Sequence, residues 1–148
     1  MDVRHATQGI DQRASRTVEP YVRGAAARPI AMPTPQTQTL DREMQNCLDA
    51  CTDCFETCER TLAYCLSKGG DHARPEHIAL LIDCARICET SAGFLARDSP
   101  LHGAVCGACA EACERCAESC ERLADDPVLK ECADVCRKCA ASCRSMAG

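Results

Sequence analysis

The sequence predicts an all-α fold: an antiparallel up-down-up-down four-helix bundle with a thiol-lined core over residues 40–148, preceded by an N-terminal extension, residues 1–39. Three observations carry this reading. Cysteines recur in alternating steps of three and four, the period of a helix-bundle seam. After residue 39 the only prolines are Pro75, Pro100 and Pro127, each just past a polar break where a helix can start. No stretch alternates apolar and polar residues as a half-buried strand would.

The extension holds Pro20, Pro29, Pro33 and Pro35, many Thr and Gln, and no cysteine, and is expected to be flexible. From Leu40 the composition turns to Ala, Glu, Arg, Leu and Cys. The first helix is expected over residues 40–66, followed by the linker SKGGDHAR. The second covers 75–97, opening on Pro75. The third, 100–124, begins at Ser99-Pro100, and the fourth, 127–146, at Asp126-Pro127. Ser and Asp are strong N-cap residues. Pro suits the first helical position because the N–H it lacks would have no partner there. Short turns between helices of similar length make sequence neighbours antiparallel.

Charge narrows the function. The chain carries 22 Asp+Glu against 17 Lys+Arg, a net of −5. In the extension Arg4, Arg13, Arg16, Arg23 and Arg28 outweigh Asp2, Asp11 and Glu19 for a net of +2, which leaves −7 on the remainder. Nucleic acid is therefore not an expected partner, and the bundle mildly attracts cations. No stretch approaches the roughly 18 apolar residues of a membrane span, so no membrane is expected either. No Ser/His/Asp set or carboxylate pair suggests an enzyme.

Sixteen cysteines dominate the composition. Such content often marks a secreted disulfide scaffold. Here the N-terminal residues MDVRHATQGIDQRASRTVEP show no apolar targeting core and no twin arginine, so a reducing cytosol is expected. In that compartment clustered cysteines point to metal. The first helix carries Cys47, Cys51, Cys54, Cys58 and Cys65, and the second only Cys84 and Cys88. The third carries Cys106, Cys109, Cys113, Cys116 and Cys120, and the fourth Cys132, Cys136, Cys139 and Cys143. These are the positions that leucine normally fills. Thiols can serve as small core hydrophobes, but a bundle built of them buries little apolar surface, so packing alone is a poor reason for the substitution.

Pairs at i,i+4, such as Cys47/Cys51 and Cys116/Cys120, place their Cβ atoms about 5–6 Å apart, close enough for two sulfurs to bracket an ion. Cys-x-x-Cys pairs join one bracket to the next along the bundle axis. Soft thiolates select copper(I), zinc or iron–sulfur clusters. A zinc ion on four thiolates carries a charge near −2, costly in a dry core, whereas one copper(I) per thiolate is neutral. Iron–sulfur ligation usually needs a loop wrapped around the cluster, and none is evident. Multiple copper(I) ions per chain are thus expected, with a zinc or general heavy-metal thiolate buffer as the alternative. A redox protein cycling disulfides fits less well, because so many equivalent thiols specify no attacking cysteine.

The runs CLDACTDCFETC, CGACAEACERCAESC and CADVCRKCAASC resemble those of the bacterial copper storage proteins. That resemblance covers residues 40–146. It implies a four-helix bundle filled with copper(I) on these cysteines, a homotetramer, and the cytosolic branch of the family. It also implies copper homeostasis by storage and detoxification, served by a copper chaperone or small-thiol donor.

The bundle ends supply further candidates. In antiparallel order, Met44, His102 and Met146 collect at one end beside Cys47, Cys106 and Cys143. Thioether and imidazole bind copper(I) without losing a proton, so this end is the expected mouth. At the opposite end His77 is a candidate cap for the ladder, with a solvated histidine as the plain alternative. His72 is expected in a loop, and His5 lies in the extension.

Overall fold

The computed structural model describes residues 40–147; the extension, 1–39, lies outside the described residues. Four α-helices follow in order: α1 Arg42–Lys68, α2 Pro75–Ala96, α3 His102–Glu121 and α4 Pro127–Met146. A 3₁₀ turn, Gly70–Ala73, joins the first two. Each helix packs on two neighbours, α1 on α2 and α4, and α3 on α2 and α4. The diagonal backbones stay apart, so the four close a ring around one axis.

The helix boundaries follow local chemistry. At the start of α1, Asp41 accepts the Met44 N–H on Oδ1 at 2.8 Å. The helix runs two residues past the expected Leu66. It ends where Gly69, at φ 74°, turns left-handed and donates its N–H to the Cys65 carbonyl at 3.0 Å. Pro75 opens α2 and Pro127 opens α4, as expected, and Asp126 Oδ1 accepts the Val128 N–H at 3.0 Å.

The third helix differs. It begins at His102, not at Pro100, because Ser99 is already committed to ending α2. Asp98 sits left-handed at φ 49°, its N–H bonds to the Leu95 carbonyl, and the Ser99 N–H reaches back to the Phe94 carbonyl, each at 3.0 Å. This is a Schellman cap with Asp in place of the usual Gly. Ser99 then closes a separate turn, its carbonyl accepting the His102 N–H at 2.9 Å, before α3 proper starts. At its other end α3 stops at Glu121, three residues before the expected Ala124. The bonds Leu123 N–H to Cys120 O and Asp126 N–H to Leu123 O tighten the chain towards the Asp126 cap.

The seam points inward throughout. All 16 cysteines are fully buried, together with Leu81, Leu95 and Leu129 and a set of alanines. Three large aliphatic side chains are too few to fill a bundle axis, so sulfur does most of the packing there. Outside, the helices are laced by charge pairs such as Arg137 with both Glu121 oxygens at 2.9 and 2.8 Å. Among the described residues no helix is long and apolar enough to cross a membrane.

Candidate metal centre

The sulfurs meet chiefly across helices. Cys51 lies 3.4 Å from Cys143 and 3.9 Å from Cys139, joining α1 to α4. Cys84 lies 3.6 Å from Cys113, and Cys88 lies 3.4 Å from Cys113 and 3.6 Å from Cys109, joining α2 to α3. Cys54 reaches Cys136 at 3.7 Å, Cys84 at 3.8 Å and, across the diagonal, Cys113 at 3.9 Å. The other diagonal closes through Cys88 and Cys139 at 3.9 Å. Thiols therefore span the ring where the backbones do not.

Along a single helix, only Cys109 and Cys113 approach within hydrogen-bond range, at 3.9 Å. Sets of four sulfurs within 4.8 Å of one another still keep the i,i+4 pairs expected from the sequence, such as Cys84/Cys88 and Cys132/Cys136, and join each to thiols of two other helices. Seam side chains lean towards the axis, where a sulfur from another helix is closer than the neighbour one turn away. Groups of four sulfurs lying within 4.8 Å of one another include Cys54, Cys84, Cys88 and Cys113; Cys58, Cys116, Cys132 and Cys136; and Cys88, Cys109, Cys113 and Cys139. The groups overlap: Cys88 and Cys113 belong to two of these three.

Electrostatics favour a neutral resting core. Burial pushes the Cys65 thiol up to about 11 and raises Cys106 as well. Within the ladder neighbouring thiols share protons. Hydrogen bonding with Cys113 holds Cys84 below the ordinary thiol value, while Cys109 pushes Cys88 above it. A first thiolate is stabilised by adjacent S–H groups, and each further ionisation meets the charge already present. A monovalent cation removes that opposition.

Helix α2 is the odd wall. Its seam runs His77, Leu81, Cys84, Cys88, Ser91 and Leu95 in steps of 4, 3, 4, 3 and 4, all buried. Ser91 Oγ stands where a thiol would, 3.4 Å from Cys106 Sγ. The spacing could have revealed Ser91 from the sequence, since it extends the Cys84/Cys88 register by one step. Sequence reasoning also missed Ser119, which bonds His77.

The end groups are placed as follows. Met44 is buried over the first thiols, while His102 and Met146 are partly exposed. His102 Nδ1 is turned to the Ser99 carbonyl at 2.7 Å. At the other end His77 is 5% exposed, buried and not solvated. Its Nε2 is 3.6 Å from Cys65 Sγ and its Nδ1 2.8 Å from Ser119 Oγ, and burial lowers its proton affinity. His72 lies in the 3₁₀ turn, as expected of a loop residue, with Nε2 3.2 Å from Asp126 Oδ2. The same Asp126 oxygen accepts from Tyr64 Oη at 2.7 Å and pairs with Lys68, which ties the two loops of that end together.

Comparison with known proteins gives a consistent result. Residues 40–148 match the family described as Csp, copper storage protein. A curated relative, an uncharacterized cysteine-rich protein, YhjQ, of Bacillus subtilis, is 33% identical over 72 residues, covering 49% of this chain and 67% of the relative. Among solved structures, the Nmul_A1745 protein of Nitrosospira multiformis is 44% identical at a TM-score of 0.68, covering 72% of this chain and 96% of that one. The copper(I)-bound storage protein BsCsp3 is 34% identical, also at TM-score 0.68, over 72% of this chain and 100% of its own. A cytosolic copper storage protein from Streptomyces lividans, solved with five coppers, is 28% identical at TM-score 0.63, over 71% of this chain and 92% of that one.

Proposed function

The chain belongs to the copper storage protein family, and from that premise we propose that its core stores many copper(I) ions on the 16 cysteine thiolates, buffering the cytosol against copper. The storage unit is residues 40–148, the span of the family match. The observation that carries the reading is the continuous, fully buried ladder of overlapping sulfur groups.

Coordination number and charge, with the overlap, favour copper(I) over zinc. Zinc holds four sulfurs even where thiolates bridge, so overlapping groups of four can be filled by few zinc ions at once, each carrying two charges into the dry core. Copper(I) accepts two or three sulfurs, and a thiolate can bridge two copper ions, so shared ligands become an advantage. Copper is the cargo, and the protein supplies soft donors, a dry cavity and near-neutral charge at about one ion per thiolate. A cytosolic setting accords with one relative that is described as cytosolic, and a homotetramer is the assembly that the family resemblance implies. Copper ions, and a chaperone or small-thiol donor that carries them, are the partners.

The test is an anaerobic titration of reduced protein with copper(I) in the presence of excess zinc. Binding close to one copper per cysteine, undiminished by zinc, is the expected result. Saturation at about four ions, with tetrahedral thiolate spectra on cobalt substitution, would replace this reading with the zinc one.

A further inference from the structure

Residues 69–74 join α1 to α2 with little to hold them. The segment starts on two left-handed glycines, Gly69 at φ 74° and Gly70 at φ 59°, and nothing lies within 4 Å of where either Cβ would stand. Its 3₁₀ turn buries no side chain, and among the described residues its backbone packs on α1 and α2 alone. Two open hollows adjoin it. Asp71 and Arg74 line one of about 480 Å³ together with His77 and Ser119, and His72 lines another of about 540 Å³. Among the described residues one hydrogen bond ties the segment to the α3–α4 loop: His72 Nε2 lies 3.2 Å from Asp126 Oδ2. Asp126 is itself firmly held. It is 8% exposed, its Oδ1 accepts the Val128 N–H at 3.0 Å, and its Oδ2 also accepts from Tyr64 Oη at 2.7 Å and pairs with Lys68. The last thiol of α1 stands at the foot of this segment. Cys65 is fully buried, its carbonyl accepts the Gly69 N–H at 3.0 Å, and its sulfur faces His77 Nε2 at 3.6 Å. The neighbouring Tyr64 meets His72 edge-on, with ring centroids 6.2 Å apart.

We propose that residues 69–74 form a strap, latched by the His72–Asp126 contact, that swings on Gly69 and Gly70 and controls whether small thiol-reactive solutes reach Cys65. Latched, the strap and His77 keep this sulfur dry. With the latch open, the two glycines take up the backbone rotation, because neither carries a Cβ and open space surrounds both. A few residues at the end of an element suffice for such a hinge. The adjoining hollows give His72 and Arg74 room to move without displacing a helix. The rest of the Asp126 cluster stays in place, since Tyr64, Lys68 and the α4 cap lie outside the strap. Opening is therefore local. It breaks chiefly one bond to a carboxylate, while the sulfurs deeper in the ladder stay covered by helix packing. The inference concerns the metal-free chain and stands apart from what the ladder stores.

Alkylation of the reduced, metal-free, full-length protein by iodoacetamide tests this, read cysteine by cysteine by mass spectrometry. The reagent is kept dilute enough that rates rise linearly with its concentration, so each rate reports the open population at that site. His72→Phe keeps a ring against Tyr64 and removes the bond to Asp126. Cys65 in that variant should react roughly tenfold faster, the weight of one hydrogen bond to a charged group. Cys51 and Cys109 in the same molecules should keep their unaltered rates. Asp126→Asn, which retains a cap oxygen for Val128, should give the same pattern. Unaltered Cys65 reactivity in His72→Phe overturns the proposal, because nothing is then latched. If Asp126→Asn alone speeds Cys65, the carboxylate acts through Tyr64 and Lys68, and the strap assignment is equally overturned. Uniform acceleration of Cys51, Cys65 and Cys109 overturns it as well, since the whole bundle has then loosened. The comparison within one variant separates a local opening from a failure to fold.

Discussion

Leu81→Cys tests whether the α2 wall limits capacity. Leu81 is fully buried, one seam step before Cys84 and therefore level with the Cys58, Cys116, Cys132 and Cys136 group. It is the apolar fourth wall of a tier otherwise made of sulfur. The substitution removes the equivalent of about two methylenes, and at about 0.8 kcal/mol each plus a small residual void the apo-protein loses roughly 2 kcal/mol. For a helical unit of this size that lowers Tm by about 8 °C. The copper-loaded protein should respond oppositely, because the new thiol adds about one ion and every ion bound only by the native state adds stability. Calorimetry of the apo and loaded forms, with a copper(I) titration against a chromophoric chelator, reads both effects. Leu81→Ala is the control: it should destabilise at least as much, about 2–5 kcal/mol, and add no capacity. If Leu81→Cys softens the apo-protein but binds no additional copper, the tier is not a copper site and the ladder argument fails at its centre.

Three further outcomes follow from the same geometry. The reduced, metal-free protein should already show a full helical far-ultraviolet spectrum, since neutral buried thiols pack as hydrophobes; a random-coil spectrum would mean the fold forms only around its ions. The apo-protein should lose stability as pH rises from 9 to about 11. Folding raises the Cys65 pKa from 9.0 to about 11, so the stabilisation is whole below pH 9 and is lost as ionisation is forced above it. Melting curves across that range check this, and the copper-loaded form, already deprotonated, should stay flat. Ser91→Ala should leave the number of ions unchanged but weaken the most loosely held one roughly tenfold in competition assays. The hydroxyl is the side-chain partner of Cys106 and would donate to its thiolate, a charge-assisted bond of about 1.5–3 kcal/mol. Unchanged affinity would make Ser91 a mere space-filler.

The sequence by itself determined the helices and the identity of their inward face. Backbone periodicity is local: at 3.6 residues per turn, cysteines stepped by three and four fall on one stripe whatever the rest of the chain does. Pro75, Asp126-Pro127 and the three cysteine-dense runs were legible for that reason. Ser99 was not, because the same residue can start one helix or finish another. The left-handed Asp98 decided for the second. Nor could spacing say which sulfurs meet. That Cys51 touches Cys143, that Cys54 reaches Cys113 across the diagonal, and that His77 sinks against Cys65 depend on the relative rotation and axial offset of four helices. Those offsets are set by non-local packing of Leu81, Leu95, Leu129 and the small residues between them. A seam is written in one helix; each four-sulfur group named above draws on three, and only their assembly brings its members together.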